Sequence, residues 1–156
     1  MLEIVTFTPC ILLPAILKSS KPNNEGDVTM ILETERLYLR EMNQADFNSL
    51  CKILQDEKTM YAYEGAFNDT EVQEWLDKQI SRYEKFGFGL WAVILKETNE
   101  MIGQCGLSMQ PWKDREVLEI GYLFQRQYWH KGYATEAPGA AGNMLLKYWM
   151  PGKSVP

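Results

Sequence analysis

Residues Gln125 to Ala137, QRQYWHKGYATEA, set one glycine between a strand-like run and a helix-like run. A helix start carries backbone N–H groups that have no acceptor within the helix, and about half a positive charge. Such an end binds phosphate without a dedicated side chain. Gly132 lets backbone come close to a ligand, Ala134 keeps the first turn small, and Lys131 and Arg126 add positive charge. Together they read as a pyrophosphate cradle, and the plainer reading is a glycine turn ahead of a helix. Two better-known phosphate loops are absent. Pro151-Gly152-Lys153-Ser154 lacks the earlier glycine of a Walker A loop, and there is no G-x-G-x-x-G dinucleotide fingerprint.

The remaining reactive side chains exclude other chemistries. His130 is the single histidine, and Cys10, Cys51 and Cys105 lie far apart with no C-x-x-C. No zinc cluster follows from such a set, so no metal is expected. No G-x-S-x-G elbow is there to pair with His130 in a triad. A solvent-facing loop position is the favoured reading of that histidine over a catalytic base. Three separate thiols point to a reducing, cytoplasmic compartment. The net charge of −5 provides no global attraction for nucleic acid, and no nucleic-acid partner is expected.

The elements that must position the loop follow from the patterning of 156 residues, enough for one domain. Residues 1–29 read as an extension and linker ahead of a domain that starts near Met30. A targeting segment and an added strand through Ile4–Thr8 stay open as alternatives. The apolar run there is too short to cross a bilayer as a helix, and no membrane partner is expected. RLYLRE alternates as a strand. Asn43 then opens an amphipathic helix that carries Phe47, Leu50 and Leu54, with Asp46 near its positive end. A second helix is expected to be capped by Thr70, with Gln73 completing a capping box, and to stop at Gly87. Three strands follow: FGLWAVIL, buried on both faces; MIGQCGLSM, where Gly103 and Gly106 allow close backbone approach; and, after a polar link, EVLEIGYLF. This order is that of a mixed α+β domain.

Three stretches in this order, TERLYLREMNQADF, GFGLWAVILKETNEMIGQCGL and LEIGYLFQRQYWHKGYATEA, resemble the GNAT superfamily of acyl-coenzyme A-dependent N-acetyltransferases. More narrowly they are similar to its ribosomal-protein N-terminal acetyltransferase branch, of RimJ/RimL type. The family loop is Q/R-x-x-G-x-G/A. Trp129 to Ala134 matches its last two fixed positions, with Trp129 in place of the usual Gln or Arg and His130 where many relatives carry a second glycine. The resemblance implies a mixed, mostly antiparallel twisted sheet flanked by helices. It implies acetyl-coenzyme A as co-substrate, with Leu123 and Phe124 pairing with the pantetheine arm. Trp129, His130, Lys131, Gly132, Tyr133, Ala134 and Thr135 would hold the pyrophosphate. The acceptor would be a primary amine, of a protein N-terminus or a small molecule, attacking the thioester directly while a backbone N–H near Leu123 polarises the carbonyl.

An amine is mostly protonated at neutral pH, so a base is required. Glu119 is the first candidate, since relatives carry a glutamate there and Leu118 and Ile120 would raise its pKa if it is buried. A partly exposed residue or a salt-bridge partner is the alternative. Tyr122 is a second, weaker catalytic candidate. Ser108 and Trp112 are the substrate-binding candidates, and Trp91 is better read as core. After Ala137 the pattern departs from the family: Pro138, Gly139 and Gly142 are expected to break the helix, leaving residues 138–156 as an atypical tail and the final strands missing or replaced. Such a chain would be an impaired coenzyme A-binding module, or a fragment that completes its fold as a homodimer or swapped oligomer.

Overall fold

The computed structural model describes residues 29–149. The expectations on Ile4–Thr8, on the rest of the extension and on the last residues lie outside the described residues, as do the side chains of Trp112 and Tyr148. The elements run β1 (Met30–Glu33), β2 (Leu37–Arg40), α1 (Phe47–Leu54), α2 (Asp69–Phe86), β3 (Leu90–Leu95), β4 (Glu100–Trp112), β5 (Arg115–Phe124) and α3 (Tyr133–Trp149). The strands form one sheet in the order β1-β2-β3-β4-β5, antiparallel at every pairing. The fold is the α+β one expected. β1 was not foreseen, because four residues are too few to display an alternation.

Side-chain parity separates the two faces of the sheet. The β4–β5 register runs unbroken from Gly103↔Phe124 to Trp112↔Arg115, so Gln104 shares a face with Leu123 and Ser108 with Glu119. Ile120 points to the opposite face. The Trp75 indole of α2 donates to Gln104 Oε1 at 3.0 Å, which puts α2 on the Glu119 face. A Cβ on Gly142 of α3 would lie 3.6 Å from Ile120 Cδ1, which puts α3 on the other. All six residues of β3 are buried between the layers, as an unbroken apolar run requires, and Trp91 is part of that core. The predicted close approaches are present. A Cβ at Gly106 would sit 2.1 Å from the Gly89 carbonyl oxygen, and one at Gly103 would sit 2.5 Å from the Phe124 ring.

Asn43 and Asp46 form the expected reciprocal capping box, on a single 3-10 turn (Gln44–Asp46) that leads into α1, which itself starts at Phe47 without a side-chain cap. The α2 start is two residues earlier than expected. Asn68, not Thr70, is the N-cap, and Glu71, not Gln73, returns the bond to it at 2.8 Å. Asparagine and glutamate satisfy the same geometry as Thr and Gln, and the earlier pair captures two more residues for the helix. Gly87 ends α2 with φ 76°, as read. Gln79, the polar interruption of the buried stripe, accepts the Leu90 N–H at 3.1 Å, while the Tyr83 hydroxyl donates to the Leu90 carbonyl and accepts from Met42 N–H. These bonds pin α2 to the start of β3.

The helix after the loop does not break at Pro138. α3 runs from Tyr133 to Trp149 with the proline inside it. The bond that Pro138 cannot make would have gone to the carbonyl of Ala134, an exposed residue near the helix start. In compensation Tyr133, Ala137, Ala141 and Leu145 form a buried stripe at four-residue spacing. Packing of one face supplies most helix stability in a folded protein, and here it outweighs the local conflict.

Candidate active site

The cradle is built where the edge of β5 meets the start of α3. Antiparallel strands alternate residues whose backbone groups face the partner with residues whose groups face away. Gln125 N–H bonds Ile102 O at 2.9 Å and Leu107 N–H bonds Gly89 O at 3.0 Å. Counting in twos from these bonds, Leu123 and Gly121 face β4, while Tyr122 and Phe124 point to the sheet edge. The backbone groups of Leu123, expected to meet the pantetheine arm and an acyl oxygen, are thus turned toward β4, and those of Tyr122 and Phe124 face the edge instead. The Phe124 carbonyl confirms this direction, since it accepts the Trp129 indole N–H at 3.0 Å. That bond folds the loop back onto the strand.

A cavity of about 480 Å³ opens at this edge, lined by Tyr122, Leu123 and Phe124, by Trp129, His130, Gly132, Ala134 and Thr135, and by residues from elsewhere. Most of the expected cofactor residues thus converge. Gly132 has φ 86°, and a Cβ there would lie 3.1 Å from the Arg36 guanidinium. The Gly132 carbonyl accepts Thr135 and Glu136 N–H at 3.2 and 3.0 Å, so it is the first acceptor of α3. The N–H groups of Tyr133 and Ala134, in the first turn, have no acceptor within the helix. His130 has φ 62°, a left-handed conformation that costs a side chain about 1 kcal/mol or more. A glycine would adopt that geometry without the penalty.

Two expected cofactor residues are turned away. The Tyr133 ring is buried, lying under the Arg36 guanidinium at 4.4 Å and edge-on to Tyr128. The Lys131 ammonium lies over the Tyr128 ring at 5.7 Å and does not line the cavity. The reason is spacing: Tyr133 begins the stripe that α3 must bury.

Several residues that shape the site were not picked out in the sequence. Glu136 accepts from the Thr34 hydroxyl at 2.6 Å, from Arg36 N–H at 3.0 Å and from Arg36 Nε at 2.7 Å, while Arg36 also donates to the Lys131 carbonyl at 2.8 Å. Burial alone would raise the Glu136 carboxyl, but the bonds from Thr34 and Arg36 outweigh it and hold the group below its ordinary value. This network fixes the first turn of α3 to the β1–β2 turn. Lys58, Thr59 and Tyr61, from the segment after α1, also line the cavity. Their proximity is a product of topology, and no local pattern announces it.

The catalytic candidates divide between the two faces. Glu119 is half-buried on the α2 side, directly across from the buried Ser108, and desolvation pushes its carboxyl up. Tyr63, also half-buried, is its neighbour: burial first, then the charge of Glu119, raises the Tyr63 phenol. Tyr63 and Phe67 both pack edge-on against Trp75. Tyr122 has the opposite parity, so its side chain and that of Glu119 are not brought together. Ser108 accepts from the Gln110 side chain at 3.1 Å. Trp112 closes β4, and its side chain lies outside the described residues. Cys51 and Cys105 are free thiols. Among the described residues no cluster of His, Cys, Asp or Glu is arranged to hold a metal, and no helix is long and apolar enough to cross a membrane.

A family model described as an acetyltransferase (GNAT) domain matches residues 36–153. The uncharacterized protein YkkB of Bacillus subtilis (strain 168) is 36% identical over 110 residues, which are 70% of this chain and 64% of YkkB. The uncharacterized N-acetyltransferase p20 of Bacillus licheniformis is 37% identical over 108 residues, 68% of this chain and 60% of p20. The chain thus spans less than two thirds of the length of these curated relatives. Among solved structures, the acetyltransferase from Agrobacterium tumefaciens str. C58 superposes with a TM-score of 0.65 at 26% identity, covering 82% of this chain and 72% of that one. RimL, the ribosomal L7/L12 alpha-N-protein acetyltransferase, superposes with a TM-score of 0.61 at 15% identity over 81% of this chain and 69% of its own. The latter is a likeness of fold alone.

Proposed function

Because this chain belongs to the GNAT acetyltransferase family, we propose that it transfers an acetyl group from acetyl-coenzyme A to a primary amine. The acceptor in this reading is a protein N-terminus or a small-molecule amine, in a ternary complex and a cytoplasmic setting. The observation that carries the proposal is the cavity itself, where the β5 edge and the start of α3 face one opening. The RimJ/RimL-type assignment rests on the loop and strand motifs around Trp129–Ala134.

The residues present fit acetyl-coenzyme A. The Gly132–Thr135 turn offers helix-start N–H groups to a diphosphate, and the outward backbone groups of Phe124 and Tyr122 run along the path of an extended arm. When bound, the co-substrate supplies a thioester carbonyl open to a neutral amine. An edge N–H at Tyr122 or Phe124 is the backbone donor for an acyl oxygen. Glu119 takes the proton from the amine. It stands three residues from Tyr122 along the strand, about 10 Å, so it acts through water. The raised carboxyl sets the pH dependence. Glu119 must be ionised to work, so the acidic limb of kcat/KM lies above the ordinary glutamate value of 4.5, and Glu119→Gln removes that limb.

Calorimetric titration of the chain with acetyl-coenzyme A is the test. One-to-one binding, lost in Gly132→Trp, supports the reading, and thiol release on adding an amine then establishes turnover. A folded sample that ignores acetyl-coenzyme A ends it.

A further inference from the structure

The cations that the sequence offers to a diphosphate are engaged elsewhere. Arg36 is held by Glu136 with a closest approach of 2.6 Å, Lys131 rides on Tyr128, and Arg126 pairs with Asp56 at 3.0 Å. Among the described residues lining the cavity, Lys58 is the one lysine or arginine. It comes from the segment between α1 and α2. Asp56 holds it there. One carboxylate oxygen of Asp56 accepts Lys58 N–H at 2.9 Å and Thr59 N–H at 3.0 Å, and its carbonyl accepts Met60 N–H at 3.0 Å. The other oxygen reaches Arg126, which opens the short turn leading into Trp129. One carboxylate therefore links the Lys58 segment to the turn that leads into Trp129. The Thr59 N–H foremost, with help from Arg126, keeps Asp56 ionised by lowering its pKa.

We propose that Lys58 is a cofactor-binding residue, its ammonium meeting the diphosphate in the cavity that the helix start also lines, and that Asp56 is its positioning residue. The inference rests on the reading of this cavity as the acetyl-coenzyme A site. A lysine on a stem of four carbons is suited to this task, since it needs no fixed fork geometry. Arg126 acts only by holding Asp56.

The experiment titrates the full chain with acetyl-coenzyme A at low and at high salt. Lys58→Met is expected to weaken binding about tenfold at low salt. The loss shrinks at high salt, because the charge on an exposed lysine is screened. Lys58→Arg keeps most of the affinity. Asp56→Asn also weakens binding, but adds little in the Lys58→Met background, since the two act as one unit. Where Asp56→Asn does not fold, Arg126→Gln takes its place in the same cycle. Wild-type affinity in Lys58→Met, or an Asp56→Asn loss that persists in full without Lys58, overturns the inference and leaves the acetyltransferase reading intact. A folded wild-type chain that does not bind acetyl-coenzyme A overturns both.

Discussion

Helices α2 and α3 reach similar lengths by opposite routes. α2 has everything a helix needs within its own sequence: the Asn68–Glu71 capping box, acidic residues in its first turn, a buried stripe and a glycine stop. α3 has a proline and two glycines in its interior. It is held by contacts with residues distant in the chain, through Ala137, Ala141 and Leu145 against the sheet and through Glu136 to Thr34 and Arg36, some 100 residues away in sequence. The helix that bears the candidate site is therefore the one whose order depends on the tertiary structure. A helix start that must present backbone to a ligand cannot also bury that backbone under a cap, and an ion-pair network from another element supplies the anchoring instead.

This contrast can be broken or sharpened by substitution. The largest effect is expected for Pro138→Ala, which restores a helix bond and removes the clash. It should stabilise the chain by up to about 3 kcal/mol, read as a rise in the urea midpoint at constant slope. No single change in α2 has that much to gain. Glu136→Gln is next. It keeps the shape but loses the charge-assisted bonds to Arg36, at a cost of about 2 kcal/mol, and loosens the cradle so that acetyl-coenzyme A binding weakens with it. Its pH dependence is diagnostic. The folded pKa of Glu136 is lowered, so its contribution is complete above the ordinary value of 4.5 and is lost as pH falls through the lowered one. The deficit of Glu136→Gln should therefore disappear in acid and persist at neutral pH.

Asn68→Ala tests the other side of the comparison. Removing the side-chain cap of α2 should cost about 1 kcal/mol and leave acetyl-coenzyme A affinity unchanged, because that helix start does not line the cavity. The smallest change is Gly139→Ala. Its Cβ would meet nothing within 4 Å, so it should stabilise α3 by a little under about 1 kcal/mol of helix propensity. A loss of stability there would mean that α3 is more tightly confined than its packing indicates.

Much of the fold was legible because its signals are local. The six-residue apolar run of β3, the Asn43–Asp46 box, the Gly87 stop and the two glycines of β4 each declare a neighbour or a backbone geometry within a few residues. The cap of α2 was displaced by two residues because two nearby pairs satisfy the same pattern. The loop from Trp129 to Thr135 was legible too, since a glycine between a strand and a helix constrains what the backbone can offer. The lone histidine at a left-handed position was visible in type but not in conformation.

What the sequence determined by itself was most of the order of elements from β2 onward and the place of the glycine turn, because hydrophobic period and turn chemistry act over a few residues. Only the tertiary structure decided that α3 survives Pro138, that the Tyr133 ring is buried under Arg36, that Asp56 pairs with Arg126, and that Lys58 lines the cavity. Each of these depends on which distant residues meet. Such meetings are set by sheet register and by competition among charges for partners, neither of which is encoded in any short stretch of chain.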